Sequence, residues 1–295
     1  MSRGLFGGWF SGGSEERKPK KRLRANHLDY DHYELETVDS TNEAAKWYIE
    51  ENGLEEASFF YAREQTAGRG RLGRSFYSPA DTGLYLTLAW PLPYDQYESQ
   101  TEAYTSAVRV TGKAAVAVVR GLGSLLSGRF QIKWVNDIYY YDRKICGILT
   151  ETVPRDGVLW LIVGIGLNLD TTDFPEEIEN KAGSVSDLPM RPEMKTWIRE
   201  AIEDELLKEI IQLDEIGYVE DYRQYSCVIG KRVHFDRGEG DECGIAEDIG
   251  FDGALVVRME DDSQVRLSTG EISLELEPEI EEEVTEDESD YSEEL

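Results

Sequence analysis

Apolar and polar positions alternate in short blocks along most of the chain, and this pattern predicts a fold rich in strands. Six apolar runs have the length and composition of strands: residues 58–63, 83–90, 130–134, 137–141, 144–151 and 158–164. Tight turns such as the one at residues 141–143 separate the last four runs. This close spacing predicts an antiparallel meander, not a doubly wound parallel sheet.

Helical periodicity replaces this pattern in three places, at residues 99–126, 192–213 and 218–225. The first of these segments carries an apolar face made of Val108, Val110, Ala114, Ala115, Val118 and Val119. A fourth helix is indicated near the N-terminus, because Ser40 precedes Glu43 by three residues, as in a capping box. Gly53 is expected to end it.

A change of texture at Val228 marks a second unit, in which short apolar strands alternate with turn residues. About fifty residues of this kind are typical of a small barrel of the SH3 class. We therefore expect an α+β fold, with a large mixed or antiparallel sheet packed by helices and followed by a small SH3-like β-barrel. The predicted division is a tail at 1–25, a catalytic domain at 26–227, the barrel at 228–277 and a second tail at 278–295.

Both predicted tails have a biased composition. The first has a glycine-rich apolar tip followed by a basic run at residues 17–24, and we expect a flexible tail, with binding to an anionic membrane surface as the alternative. From Glu277 onward the chain holds eleven acidic and no basic residues, which predicts a solvated, disordered segment. The formal net charge of −29 disfavours non-specific binding to nucleic acid.

No apolar run approaches the roughly 20 residues that span a bilayer, and the N-terminus does not resemble a signal peptide. We therefore expect a cytoplasmic protein that is not bound to a membrane. The three cysteines contain no C-x-x-C pair, and the three histidines are scattered. A disulfide framework and a structural zinc site are thus not expected.

Residues 68–74 (Gly-Arg-Gly-Arg-Leu-Gly-Arg) form the most informative segment, between the first two predicted strands. Glycines allow close backbone approach to a ligand, and arginines present forks of donors to phosphate or carboxylate. The segment predicts an anion-binding loop, with a solvated linker as the alternative. It matches the dinucleotide spacing Gly-x-Gly-x-x-Gly, but residues 74–79 do not open a helix, so that interpretation is rejected.

Two other polar segments are candidates for the same pocket. Ser40, Thr41 and Asn42 stand at a predicted helix start, where capping alone would also explain them. Residues 133–137 (Lys-Trp-Val-Asn-Asp) and 142–147 (Asp-Arg-Lys-Ile-Cys-Gly) flank a predicted strand, where a polar hairpin turn is the alternative.

These segments, together with residues 164–168 (Gly-Ile-Gly-Leu-Asn) and 270–274 (Gly-Glu-Ile-Ser-Leu), resemble the biotin–protein ligase family in the same order. The resemblance covers roughly residues 33–277, and the arginine–glycine string is its most specific part. It implies an enzyme that activates biotin with ATP and Mg²⁺ to biotinyl-5′-AMP. The biotin then passes to one lysine of a biotin carboxyl carrier domain, the implied protein partner.

The resemblance also implies roles for individual residues. The implied catalytic residues are Arg71 and Lys144. The implied biotin contacts are Ser40, Thr41, Asn42, Gln65, Arg69, Gly70, Arg71, Lys144 and Gly147. The implied contacts to ATP and the adenylate are Arg69, Arg71, Arg74, Asn136, Lys144 and Asn168. Asp137 is the candidate ligand for Mg²⁺ that arrives with ATP.

Two other functions are weighed against this one. A lipoate or octanoate ligase would share the catalytic fold but lacks the arginine–glycine string. A biotin-adenylate sensor would need a DNA-binding or docking module, and only the basic run at residues 17–24 could serve as one. The residues ahead of the catalytic domain are too few and too rich in glycine for a helix-turn-helix, so DNA binding is not expected. The chain departs from the family at Val135, usually proline, and at Phe76, usually tryptophan. A homodimer through the sheet edges is left open.

Overall fold

The computed structural model describes residues 30–101, 107, 109–238, 240–268 and 272–274. The predicted tails at 1–25 and 278–295 lie outside the described residues, as do Gly270 and Glu271 of the last motif and Val108 of the predicted helix face.

Seven strands form the large sheet: β1 (Asp31–Val38), β2 (Ser58–Gln65), β3 (Gly83–Pro93), β4 (Gln131–Lys133), β5 (Asp137–Tyr140), β6 (Arg143–Arg155) and β7 (Val158–Asn168). Their order across the sheet is β1-β2-β3-β7-β6-β5-β4. β1 and β2 are parallel, and every other neighbouring pair is antiparallel. The predicted meander therefore forms β4 to β7, and the sheet as a whole is mixed.

The helices that cover the two faces of this sheet include α1 (Thr41–Trp47), α2 (Val110–Leu125), α3 (Pro192–Ile211) and α4 (Tyr218–Tyr225). α1 continues into a π-helical turn at Tyr48–Asn52 and packs on one face, where Ala45, Phe60 and Trp160 are buried together. α2 and α3 pack against the larger core on the other face. This arrangement fixes the start of α1 directly over the sheet.

The start of α1 differs from the predicted capping box. Ser40 occupies the N-cap position, but its side chain makes no capping hydrogen bond. Its backbone N–H donates instead to Asp39 Oδ1 at 2.7 Å, which is the bond that the Glu43 side chain would have accepted. Glu43 forms ion pairs with Lys46 and Arg69. The predicted capping box is therefore wrong, because Lys46 and Arg69 bind the Glu43 carboxylate in place of the Ser40 N–H.

Five short strands form the second sheet: β8 (Arg232–Asp236), β9 (Asp241–Ile249), β10 (Leu255–Arg258), β11 (Gln264–Leu267) and β12 (Ser273–Leu274). Their order is β11-β10-β9-β8-β12, and all neighbouring pairs are antiparallel. The Trp134 indole N–H donates to Gly253 O at 3.0 Å and ties this unit to the β4–β5 turn. The expected α+β fold with a small SH3-like second unit is confirmed.

Among the described helices, none has the length and apolar character needed to pass through a membrane.

Candidate active site

One cavity, of about 100 Å³, lies where the start of α1, the loop after β2 and the β4–β5 turn meet strands β6 and β7. Twelve of the thirteen residues named from the sequence line it: Ser40, Thr41, Asn42, Gln65, Arg69, Gly70, Arg71, Arg74, Asn136, Asp137, Lys144 and Gly147. Asn168 is not among the lining residues. It is buried at the end of β7, where its side-chain amide donates to Gly183 O at 3.0 Å.

The polar end of the cavity is formed by the residues before and within the first turn of α1. Ser40, Thr41 and Asn42 are each only 3% exposed, so their polar atoms need partners inside the protein. The Thr41 backbone N–H donates to Gln65 Oε1 at 2.8 Å, and Gln65 Nε2 donates to Ser78 Oγ at 2.9 Å. These bonds fix the Gln65 amide with its oxygen towards α1.

Thr87, on β3, orders the side chains of this polar end. Its hydroxyl oxygen lies 2.7 Å from Asn42 Oδ1 and 2.8 Å from Thr41 Oγ1. Because an amide oxygen only accepts, the Thr87 hydroxyl donates to Asn42 Oδ1. The Asn42 amide nitrogen then donates to Glu151 Oε2 at 2.9 Å. The orientation of Asn42 is thus set from both sides.

Glu151 is an ionised partner in this network. Burial raises the pKa of its carboxyl, but hydrogen bonds from Lys46 and Asn42 outweigh burial and bring the pKa below its ordinary value. Lys46 Nζ lies 2.6 Å from Glu151 Oε1, and Asn42 binds the other oxygen. The carboxylate therefore holds both α1 side chains against β6.

Two glycines on β7 leave the floor of the cavity open. A Cβ at Gly164 would lie 2.2 Å from Asn42 Oδ1, and a Cβ at Gly166 would lie 2.6 Å from the Phe76 ring. Contacts this short cannot be accommodated without movement. These two positions accept only glycine while Asn42 and Phe76 stay where they are.

The loop of residues 68–74 folds back on itself. Gly70 N–H donates to Arg74 O at 2.7 Å, and Phe76 N–H donates to Gly68 O at 2.8 Å. Leu72 and Gly73 both adopt left-handed backbone angles, with φ of 55° and 75°. Close approach explains Gly68, since a Cβ there would lie 2.4 Å from Phe76 O. The segment is a structured loop and not an extended linker.

Positive charge dominates the cavity, although the chain has a formal net charge of −29. Arg69, Arg71, Arg74 and Lys144 line it, and among the lining residues only Asp137 is acidic. Arg71 donates to Asn136 Oδ1 at 3.1 Å, and Lys144 Nζ lies 2.8 Å from Asp137 Oδ1. A surplus of cations in one cleft of an acidic protein indicates a site for an anionic ligand.

Comparison with protein families gives two matches, one in each unit of the fold. A family described as "Biotin/lipoate A/B protein ligase family" matches residues 34–168, and one described as "Biotin protein ligase C terminal domain" matches residues 228–275. The bifunctional ligase/repressor BirA of Salmonella typhimurium is 30% identical over 251 residues, which cover 81% of this chain and 73% of that protein. The chain belongs to the biotin/lipoate A/B protein ligase family.

Other members of the ligase family agree. The biotin–[acetyl-CoA-carboxylase] ligase of Mycobacterium tuberculosis is 31% identical over 197 residues, covering 66% of this chain and 70% of that protein. Among solved structures, a biotin protein ligase from Aquifex aeolicus in complex with biotin and ATP aligns with a TM-score of 0.64 at 26% identity. That alignment covers 83% of this chain and 98% of the Aquifex aeolicus chain.

Several residues of this ligase-family site were not given a site role from the sequence. Thr87 and Glu151 belong to the hydrogen-bond network, and Phe76 forms part of the cavity wall. Glu151 could have been found from the two-residue period of β6, because Gly147, Leu149 and Glu151 share a face. Thr87 carries no such signal, since it is a single polar residue in an apolar strand.

The described residues contain no group of three or more histidines, cysteines, aspartates or glutamates placed to hold a metal ion. Among the described residues that line the cavity, Asp137 supplies the one carboxylate. One carboxylate together with substrate phosphates is a common way to bind Mg²⁺, whereas a cage built only from protein ligands is not. The donor set thus fits a Mg²⁺ ion that is bound mainly by ATP.

Proposed function

We propose that this chain is a biotin–protein ligase, which joins biotin to ATP as biotinyl-5′-AMP and then transfers biotin to a lysine of a biotin carboxyl carrier domain. The observation that carries the proposal is the cavity with four cations beside a buried polar end. It offers donors for a carboxylate and phosphates at one end and ordered amide and hydroxyl groups at the other.

We assign the ureido ring of biotin to the polar end. That ring has two N–H donors and one carbonyl acceptor, and Ser40, Thr41, Asn42 and Gln65 supply donors and acceptors of both kinds. Because Thr87 and Glu151 hold Asn42, and the Thr41 N–H and Ser78 hold Gln65, these positions are set before the ligand arrives. Preorganised polar groups of this kind give specificity for a matching ligand.

In the first reaction the biotin carboxylate attacks the α-phosphorus of ATP, a P–O bond forms, and pyrophosphate leaves. The attack brings two anions together and increases charge on the phosphoryl oxygens, so catalysis depends on positioning and on cations. We assign these roles to Arg69, Arg71 and Lys144, with Gly70 and Gly147 giving close access and Arg74 and Asn136 contacting the nucleotide. Bound Mg²⁺, with Asp137 as its protein ligand, would neutralise phosphate charge.

In the second reaction the lysine amine of the carrier attacks the acyl carbon, the acyl–phosphate bond breaks, and AMP leaves. Lys144 and Arg71 again face the departing phosphate and stabilise its charge. A loop that closes over the mixed anhydride also excludes water, which would otherwise hydrolyse it. The same residues therefore serve both reactions.

The proposal is tested by transfer to a carrier. Purified chain is incubated with biotin, ATP, Mg²⁺ and a biotin carboxyl carrier domain, and biotin on the carrier is detected with streptavidin. We expect labelling that requires ATP and disappears when the acceptor lysine of the carrier is replaced by arginine. Absence of labelling with carriers that a known biotin ligase modifies would contradict the proposal.

The role of Asn168 in nucleotide binding stays a prediction, as do a homodimer, a cytoplasmic location and the domain boundaries at 227 and 228. Because Asn168 is bonded to Gly183 in the segment after β7, its replacement would act on that segment.

A further inference from the structure

Glu43 lies one residue after the polar triad of Ser40 to Asn42, in the first turn of α1, and it does not line the cavity. Its carboxylate nevertheless forms an ion pair with Arg69, which does line the cavity. The same carboxylate oxygen lies 2.9 Å from Lys46 Nζ. The Glu43 carboxylate is therefore paired with the Arg69 guanidinium, which the proposed function assigns to an anionic ligand.

The cavity is too small for that ligand in this arrangement. Its volume is about 100 Å³, whereas pockets for small molecules usually measure roughly 300–1,000 Å³. The loop of residues 68–74 contributes Arg69, Gly70, Arg71 and Arg74 to the wall, so outward movement of this loop would enlarge the cavity. Ligand entry therefore requires that the contacts between this loop and the rest of the protein loosen.

Arg71 and Arg69 of the loop are tied to neighbouring elements. Arg71 donates to Asn136 in the β4–β5 turn, and Arg69 pairs with Glu43 on α1. The Arg69 pair is the more exposed, with side chains that are 49% and 36% accessible. Exposed ion pairs are weak and are displaced by a competing anion at little cost.

Lys46 lowers the cost of releasing Arg69. When Arg69 leaves, Glu43 keeps its pairing with Lys46, and Lys46 is also paired with Glu151 at 2.6 Å. No carboxylate of this cluster is then left without a cation. The guanidinium can thus pass from the Glu43 carboxylate to a ligand carboxylate while Glu43 keeps one cationic partner.

We propose that Glu43 is a positioning residue that holds Arg69 and the arginine–glycine loop against α1 until the carboxylate of the substrate replaces it. The identity of that carboxylate as biotin rests on the proposed function, but the attachment of the loop by Glu43 does not. Glu43 acts through Arg69 and is not a catalytic residue.

The first test is limited trypsin cleavage of the ligand-free full chain, with cuts after Arg69, Arg71 and Arg74 followed by mass spectrometry. We expect Glu43→Gln to be cut about three- to fivefold faster than the unchanged chain, the factor that corresponds to one exposed ion pair. Glu43→Asp should restore most of the protection. Glu36→Gln is the matched control, because Glu36 pairs with Arg63 at 2.8 Å on the neighbouring strands and should not change cleavage of the loop.

The second test is the rate of biotin binding, followed by stopped-flow tryptophan fluorescence. We expect Glu43→Gln to raise the association rate several-fold with little change in dissociation, and saturating biotin with ATP to bring the cleavage rates of all variants together. Unchanged ligand-free cleavage in Glu43→Gln, or slower association, would overturn the proposal. If biotin protects none of the proteins, the proposed function fails, while the ligand-free comparison still decides the role of Glu43.

Discussion

At the scale of single residues, the candidate site depends on cations placed where two anionic substrates must meet. Arg71 and Lys144 each face one polar partner, Asn136 and Asp137 respectively, and both line the cavity. Asn136 is uncharged, so it leaves the positive charge of Arg71 unneutralised. The site therefore keeps positive charge available for phosphate and carboxylate groups.

Replacement of either cation should slow adenylation. We expect Arg71→Ala and Lys144→Ala each to reduce the rate of biotin-dependent pyrophosphate release by at least about tenfold, since each loses a group that stabilises charge on the reacting phosphate. The control is Arg63→Ala, which removes an exposed arginine paired with Asp81 and Glu36 away from the cavity. Near-normal release from both cavity variants would contradict their assigned roles.

Gly164 should matter for biotin and not for the fold as a whole. A methyl group there would lie 2.2 Å from Asn42 Oδ1, and Asn42 is held in place by Thr87 and Glu151. We expect Gly164→Ala to raise the KM for biotin by about tenfold or more, because a displaced amide no longer matches the ligand. An unchanged KM in Gly164→Ala would show that Asn42 does not contact biotin.

Site residues that belong to contiguous motifs could be predicted from the sequence, whereas isolated site residues could not. The triad of Ser40 to Asn42 and the arginine–glycine string each form a contiguous signal, so their convergence on one cavity could be expected. Thr87 is recognisable only after β3 is placed under α1. Glu43 was interpreted as a cap, because local spacing says nothing about a cation that arrives from the loop after β2.

At the scale of elements, the close packing of α2 against α3 supports the sheet that carries the site. A Cβ at Gly121 would lie 2.8 Å from Ile202 Cγ1 and 3.0 Å from the Ile202 backbone. Gly123, two residues later in the same helix, has no atom within 4 Å of such a Cβ. One helix thus offers a glycine required by packing and one that is not.

These two glycines make a matched pair of variants. We expect Gly121→Ala to lower the free energy of unfolding by about 1–3 kcal/mol, the usual effect of overpacking. Gly123→Ala should raise it by about 0.5–1 kcal/mol, because alanine is the better helix former. Urea denaturation measures both. Equal effects of the two substitutions would mean that α2 and α3 are not packed as closely as described.

The stability that Glu151 provides by joining β6 to α1 should depend on pH. The pKa of this carboxyl is lower in the folded protein than its ordinary value, despite burial, because Lys46 and Asn42 bind the ionised form. Its stabilising contribution is therefore complete above the unfolded pKa of about 4.5 and is lost as the pH falls through the folded pKa. We expect the Tm difference between the unchanged chain and Glu151→Gln to shrink steadily as the pH is lowered below about 4.5. A difference that stays constant would contradict this.

Among the elements, β4 to β7 were predictable and β1 was not. The meander strands are short apolar runs separated by clear turns, and Tyr141 and Asp142 adopt the positive φ angles expected of a tight hairpin. β1 alternates irregularly between buried and exposed residues and pairs in parallel with β2. A pairing across an intervening helix leaves no local pattern in the sequence.

At the scale of the whole molecule, a strongly acidic chain surrounds a cationic cavity, and the second unit is bonded to the β4–β5 turn, which carries Asn136 and leads into Asp137. The Trp134 indole links that turn to Gly253, and Arg223 of α4 pairs with Asp248 at 2.7 Å. The fold class could be predicted because short apolar strands alternating with turn residues begin at Val228. The contact between the units could not, because Trp134 and Arg223 find their partners far away in the sequence, where no local pattern marks them.

The most direct test of the central claim is pyrophosphate release by the full chain with ATP and Mg²⁺, measured in parallel with biotin and with lipoate. The account predicts release that requires biotin and is absent with lipoate alone. Release with lipoate and not with biotin would assign the cavity to a lipoate substrate. Silence with both substrates would contradict the claim that this site forms an acyl adenylate.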